Sequence, residues 1–260
     1  MSGEFWTGAW TSMQVIAFHN LKGGVGKTSA AVNIAYLASQ EGISTLLWDL
    51  DPQGAATWFL SGDDHGRGKK LGPLIKGKSP IGDFIQPTPY SRLELIPAHQ
   101  SARNFDIKLN QAGSDHPLKQ WLKPLSEETA LVVLDCPPSL SALAEQVLKT
   151  ANAIYVPVIP TWLSLNSWEQ MAEFARSQKV KAKRLRPFFS MVDRRKTLHR
   201  ELVDNRETTL PKALETVIPN ASAIERMGEK REPLELGERR SAAARAYRDL
   251  WQEIRNTLKL

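Results

Sequence analysis

Nine residues near the start of the chain, Leu21-Lys22-Gly23-Gly24-Val25-Gly26-Lys27-Thr28-Ser29, combine three glycines, two lysines and two hydroxyls. Glycines let backbone N–H groups turn inward toward an anion, a lysine neutralises phosphate, and a neighbouring hydroxyl can ligate Mg²⁺. The chemistry is phosphate binding, with Lys27 as the charge and Thr28 as a metal ligand. A glycine-rich connection that binds nothing is the alternative, and a strand before the loop with a helix after it weighs against that. The standard loop carries Gly six positions before its lysine; here Leu21 holds that place, and a second lysine, Lys22, stands beside it.

Three carboxylates supply the complementary chemistry. Asp135 follows the apolar run Ala130 to Leu134, and Asp49 and Asp51 follow the run Ser44 to Trp48. A carboxylate at the end of a buried strand emerges at the C-terminal edge of an open α/β sheet, where ligands bind. There Asp135 can hold Mg²⁺ through water. Taken singly, Asp49 or Asp51 also suits a turn or a helix cap.

The elements that must position these groups read clearly in places. Gln14 to His19 is a short buried strand ending in the glycine-rich turn, Thr28 to Gln40 has a helical apolar period with Gly42 past its end, and Ser44 to Trp48 is a second strand. Further strands are expected at Leu93 to Ile96, Ala130 to Leu134, Ala153 to Val158 and Pro187 to Val192. Helices are expected at Phe105 to Gln111, Leu118 to Leu125, Leu140 to Thr150 and Leu165 to Val180, with a short one at Pro80 to Ile85 inside a surface excursion from Ser61 to Pro89. Apolar strands alternating with helices predict an α/β fold with a doubly wound, mostly parallel sheet flanked by helices. The expected organisation is a flexible tail over 1–12 carrying Trp6 and Trp10, then a single domain over 13–260.

The 260 residues are 42% hydrophobic and 24% charged, the balance of a globular chain with one sizeable core. No run of 18 apolar residues occurs, so no transmembrane helix is expected. The tail MSGEFWTGAWTS lacks the features of a signal peptide. A single cysteine, Cys136, excludes disulfide scaffolds and cysteine-rich metal sites within one chain and suits a reducing cytosol.

The loop resembles the deviant Walker A motif, Lys-Gly-Gly-x-Gly-Lys-Thr/Ser, of the ParA/MinD family of P-loop ATPases. Asp49-Leu50-Asp51-Pro52-Gln53-Gly54 resembles that family's switch I, Leu134-Asp135-Cys136-Pro137-Pro138 its Walker B and switch II, and Val156-Pro157-Val158 the strand that follows. The resemblance runs from about Gln14 to the end. It implies that Lys22, Gly23, Gly24, Val25, Gly26, Lys27, Thr28 and Ser29 bind ATP, that Thr28, Asp49 and Asp135 serve Mg²⁺, and that Lys22, Lys27 and Asp51 are catalytic. Asp51 would orient the attacking water, and Lys22 would reach the phosphates of the other subunit in an ATP-sandwich homodimer. The base would lie near Met191 to Asp193 and Val217 to Asn220.

The charge is uneven. Lys and Arg number 34 against 28 Asp and Glu, and 21 of the basic but only 14 of the acidic residues lie after Pro160. A solvated face is one reading and a polyanion surface the other. The ParA type implies the second: DNA bound without sequence preference through Lys181, Lys183, Arg184, Arg194, Arg195, Lys196, Arg200, Lys230 and Arg231, with Lys196 the best positional match. It also implies a cytoplasmic, nucleoid-associated protein of the short form, one that positions or partitions a cargo, with hydrolysis stimulated by a ParB-like or cargo-adaptor partner. The alternative is a MinD-like membrane-cycling regulator, for which the C-terminal stripe Tyr247, Leu250, Trp251, Ile254 and Leu258 would be the membrane helix. Its mixed acidic and basic polar face favours packing on the sheet instead. A nitrogenase-reductase-like electron carrier ranks last for want of spaced cysteines.

Overall fold

The computed structural model describes residues 13–61, 68–100 and 116–260. The expected tail over 1–12 and the expected helix Phe105 to Gln111 lie outside the described residues, as does part of the 61–89 excursion.

Among the described residues seven strands form one sheet: β1 (Gln14–Phe18), β2 (Thr45–Asp49), β3 (Gln86–Pro87), β4 (Leu93–Ile96), β5 (Leu131–Asp135), β6 (Ala153–Val158) and β7 (Leu185–Phe189), in the order β3-β4-β2-β5-β1-β6-β7. Every pairing is parallel except that of β3 with β4. The main helices are α1 (Lys27–Gln40), α2 (Ala55–Leu60), α3 (Pro117–Leu122), α4 (Ala142–Thr150), α5 (Trp162–Ser177), α6 (Thr197–Asp204), α7 (Ser222–Lys230) and α8 (Ala242–Leu258).

Side chains alternate across a strand, and here both faces are apolar, so the sheet separates two cores. Ile16, Phe18, Leu47, Leu131, Val133 and Tyr155 pack with α1, α7 and α8. Val15, Ala17, Leu46, Trp48, Val132, Leu134 and Ile154 pack with α3, α4 and α5. The C-terminal stripe is spent in the first core: Tyr247, Leu250, Trp251 and Ile254 are all buried. Among the described residues no helix is long and apolar enough to cross a membrane.

Several boundaries differ from the sequence expectation for local reasons. Helix α5 begins at Trp162 because the Thr161 hydroxyl caps it, accepting from the Ser164 N–H. Ser141 caps α4 in the same way, so that helix starts at Ala142. The helix expected to reach Leu125 stops at Leu122 and continues as a 3₁₀ segment, Lys123–Glu127, where Pro124 removes a donor. The last strand runs Leu185–Phe189, two residues ahead of its expected start, and Pro80 to Ile85 holds a single 3₁₀ turn, Ile81–Phe84.

Candidate functional site

Strand register builds the site. Asp49 of β2 and Phe18 of β1 both pair with Asp135 of β5, so the two carboxylates and the start of the loop arrive at one level of the sheet's C-terminal edge. Asn20 fixes how the chain leaves β1: its amide donates to the Pro157 carbonyl at 2.7 Å, and its Oδ1 accepts the Lys22 N–H at 3.0 Å. The loop then turns through Gly24 at φ 68° and Gly26 at φ 93°, backbone that only glycine adopts without strain. A Cβ on Gly26 would also stand 2.9 Å from the Ser190 hydroxyl. Lys27 opens α1, and its ammonium donates to the Lys22 carbonyl at 3.2 Å.

Asp135 is fully buried and neither of its oxygens accepts a well-formed hydrogen bond. Burial pushes its carboxyl well above the usual range and neighbouring Asp49 adds to that, while the Thr28 hydroxyl and the Lys27 ammonium pull the other way. Burial also draws Lys27 down, against the attraction of Asp135. A buried carboxylate with unfilled lone pairs beside a hydroxyl is a donor set for a hard divalent cation, so Asp135 and Thr28 fit Mg²⁺.

Asp49 differs from Asp135 in that both of its carboxylate oxygens accept hydrogen bonds. Its Oδ2 accepts from the Thr57 N–H at 2.8 Å and hydroxyl at 2.7 Å, and its Oδ1 from the Asp51 N–H at 3.2 Å. It ties the start of α2 to the strand end and sets the turn that carries Asp51; burial pushes its own carboxyl up to about 6. Asp51 is half-buried and its carboxylate accepts the Gln53 N–H at 2.9 Å.

A cavity of about 550 Å³ opens over the loop, lined by Gly23 to Ser29, Asp51, Gln53, Pro138, Ser190 and Met191, and on the far side by Pro219 to Ala221, Ile224, Glu225 and Tyr247. The two segments expected near a base therefore do meet at this cavity through Met191, Pro219 and Asn220. The far wall is pinned from behind: Glu253 of α8 accepts from the Glu215 and Thr216 N–H groups at 2.9 and 2.7 Å. A strap joins the two rims, with the Trp58 indole donating to the Gly228 carbonyl at 3.2 Å and the Arg231 guanidinium 4.2 Å over the ring.

Sequence reasoning did not single out His19, Asn20, Ser164, Ser190, Glu225 or Tyr247 as site residues. His19 and Asn20, wedged between an apolar strand and the loop, are the pair that adjacency would have revealed. Lys22 is half-buried, and its ammonium donates to the Ser164 hydroxyl of α5 at 3.0 Å.

The basic residues divide. Lys181, Lys183, Arg194 and Lys196 are exposed. Arg184 is instead a structural cap whose guanidinium donates to the Leu148 carbonyl at 2.6 Å and to that of Ala151. Arg195 is held by Asp193 at 2.9 Å, Arg200 reaches back to the Arg194 carbonyl at 2.8 Å, Lys230 lies 3.5 Å from Glu238, and Arg231 belongs to the Trp58 strap.

Residues 13–187 match the family model described as AAA domain, well over half of the chain. Over 247 residues the chain is 29% identical to the chromosome-partitioning ATPase Soj of Treponema pallidum, covering 93% of this chain and 96% of that relative. The chain belongs to the ParA-type family of P-loop ATPases. Solved structures agree with a ParA-type fold. The cobyrinic acid a,c-diamide synthase of Mycobacterium smegmatis, with bound ATP analogue and magnesium, superposes with a TM-score of 0.77 at 25% identity over 95% of this chain and 96% of that one. The ATP complex of Cyanothece McdA superposes with a TM-score of 0.77 over 95% and 97%; at 21% identity it speaks to the fold alone.

Proposed function

We propose that this ParA-type chain is an Mg²⁺-dependent ATPase that works as a dimerisation switch: ATP joins two copies, the dimer binds DNA without sequence preference, and hydrolysis releases both. The observation that carries the reading is the loop between β1 and α1 set against the unpartnered, buried Asp135. The backbone of Gly23 to Ser29 and the Lys27 ammonium would hold the β- and γ-phosphates. Thr28 and Asp135 would hold Mg²⁺, which supplies charge neutralisation for phosphoryl transfer. Asp49 would support that shell indirectly, by fixing the turn from which Asp51 orients the attacking water. Lys22 would leave Ser164 to meet the phosphates held by the second copy.

DNA contact is assigned to the exposed Lys181, Lys183, Arg194 and Lys196, with Arg195, Arg200, Lys230 and Arg231 contributing only where they exchange an internal partner for a phosphate. Phosphate contacts of this kind read no bases, which suits a carrier that roams a nucleoid. The relatives' printed role in chromosome partitioning favours a cargo-positioning cycle, for which we propose an adaptor that stimulates hydrolysis.

The test combines nucleotide binding, oligomeric state and turnover. Lys27→Ala is expected to lose ATP binding. Asp51→Ala is expected to bind ATP as wild type, hydrolyse at least about 100-fold more slowly and accumulate as dimer. A wild-type chain that stays monomeric when saturated with a non-hydrolysable ATP analogue and Mg²⁺ would overturn the switch reading.

A further inference from the structure

We infer that Trp58 and Arg231 are positioning residues for bound nucleotide: they strap the Asp51 side of the cleft to α7, and the rate at which nucleotide leaves a single copy depends on that strap. The inference rests on reading the cavity over the loop as the nucleotide site and adds to it the contact that fixes the cavity's width.

Three contacts meet at one place. The Trp58 indole donates to the Gly228 carbonyl at 3.2 Å, the Arg231 Nε–H donates to the Trp58 carbonyl at 3.3 Å, and the guanidinium lies 4.2 Å over the indole ring. The hydrogen-bond partners are 170 and 173 positions apart in the chain, so local propensity does not bring them together. A half-exposed cation–π pair is weak by itself; here it acts with two hydrogen bonds.

The two elements so joined are footed unequally. Helix α2 is fixed to the end of β2, since the Thr57 N–H and hydroxyl both donate to Asp49 and Ala56, Thr57 and Leu60 are buried. Helix α7 buries only Ala223 and Met227, yet its Ile224 and Glu225 line the cavity. Beyond the strap it is steadied by the Asn33 amide against the Met227 sulfur at 3.4 Å and by the Arg226–Glu238 ion pair. A wall with so few buried side chains shifts at small cost, so a contact to a firmly seated neighbour decides where it stands.

The backbone at Arg231 allows the strap to be removed without damage to the fold. This residue ends α7 at φ 54° and ψ 45°, the left-handed region that glycine occupies most easily. Arg231→Gly therefore deletes the guanidinium while relieving the turn that carries it, and the variant is expected to melt within about 3 °C of wild type.

Stopped-flow release of a fluorescent ADP analogue, bound with Mg²⁺ and chased with unlabelled ADP, tests the inference. Release is expected to be at least fivefold faster in both Arg231→Gly and Trp58→Ala, with association changed less than twofold. The double variant is expected to release within twofold of the faster single variant, because both substitutions undo one strap. Wild-type release from Arg231→Gly overturns the inference. So do acceleration confined to variants with a lowered melting temperature, and effects that multiply in the double variant. Failure of the wild-type chain to bind the analogue at all would remove the nucleotide reading itself, and the inference with it.

Discussion

His19 lies wholly buried between β1 and the loop, where burial and the nearby Lys27 ammonium hold its ring down to about 3, against a raising contribution from the Pro137 backbone. A histidine that titrates near 6.5 when unfolded and near 3 when folded binds fewer protons in the native state throughout that window, so its contribution to stability falls as pH falls from 6.5 toward 3. At pH 5 the loss is about 2 kcal/mol relative to neutral pH. Asp49 and Asp135, raised by burial, act in the opposite sense, so the comparison must be made between variants. Urea unfolding of wild type and His19→Gln at pH 7 and pH 5 is expected to show the difference moving by about 2 kcal/mol in favour of the variant. An unchanged difference would mean that His19 is not held neutral. At this scale the glycine-rich turn between β1 and α1 was legible because its residue types stand at fixed spacing. The site roles of His19, Ser164 and Tyr247 were not, because they come from neighbours distant in sequence.

Helix α8 supports the cavity it barely touches. Through Glu253 it holds the 215–216 backbone, and that segment leads directly into Pro219 and Asn220 on the far wall. Glu253→Ala leaves these N–H groups without an acceptor, with an expected stability loss of about 1–3 kcal/mol. A several-fold weaker nucleotide affinity should accompany it, measured by calorimetry on protein that remains folded. A variant destabilised yet unchanged in nucleotide affinity would uncouple α8 from the wall. The central strands were readable because parallel strands covered on both faces are continuous apolar runs. Helices α6 and α7 escaped notice because each is short and carries few apolar positions. Strand β3 is two residues long, and its Pro87 argued against a strand at all.

Across the whole molecule the charge asymmetry is a claim about partners, and the structure sharpens which charges are free to act. Replacing Lys181, Lys183 and Lys196 with Gln is expected to lower the slope of log affinity for nonspecific DNA against log salt by about 2–3, close to one for each phosphate no longer neutralised. Arg184→Ala is expected to behave differently. With two carbonyls at the end of α4 deprived of their donor, it should cost about 1–3 kcal/mol of stability and leave the salt slope unchanged. A fall in slope for Arg184→Ala, measured by fluorescence anisotropy across a salt series, would return that residue to the DNA surface. The net charge alone, +6, does not separate these two classes of basic residue.

The indole of Trp58 hangs from the helix that follows Asp51 and grips α7 on the opposite bank of the cleft. In the proposed cycle, movement of the Asp51 side would reach the far wall of the cleft through this contact. Under that reading, loss of phosphate and loss of the remaining nucleotide would share a single latch, the Trp58 ring.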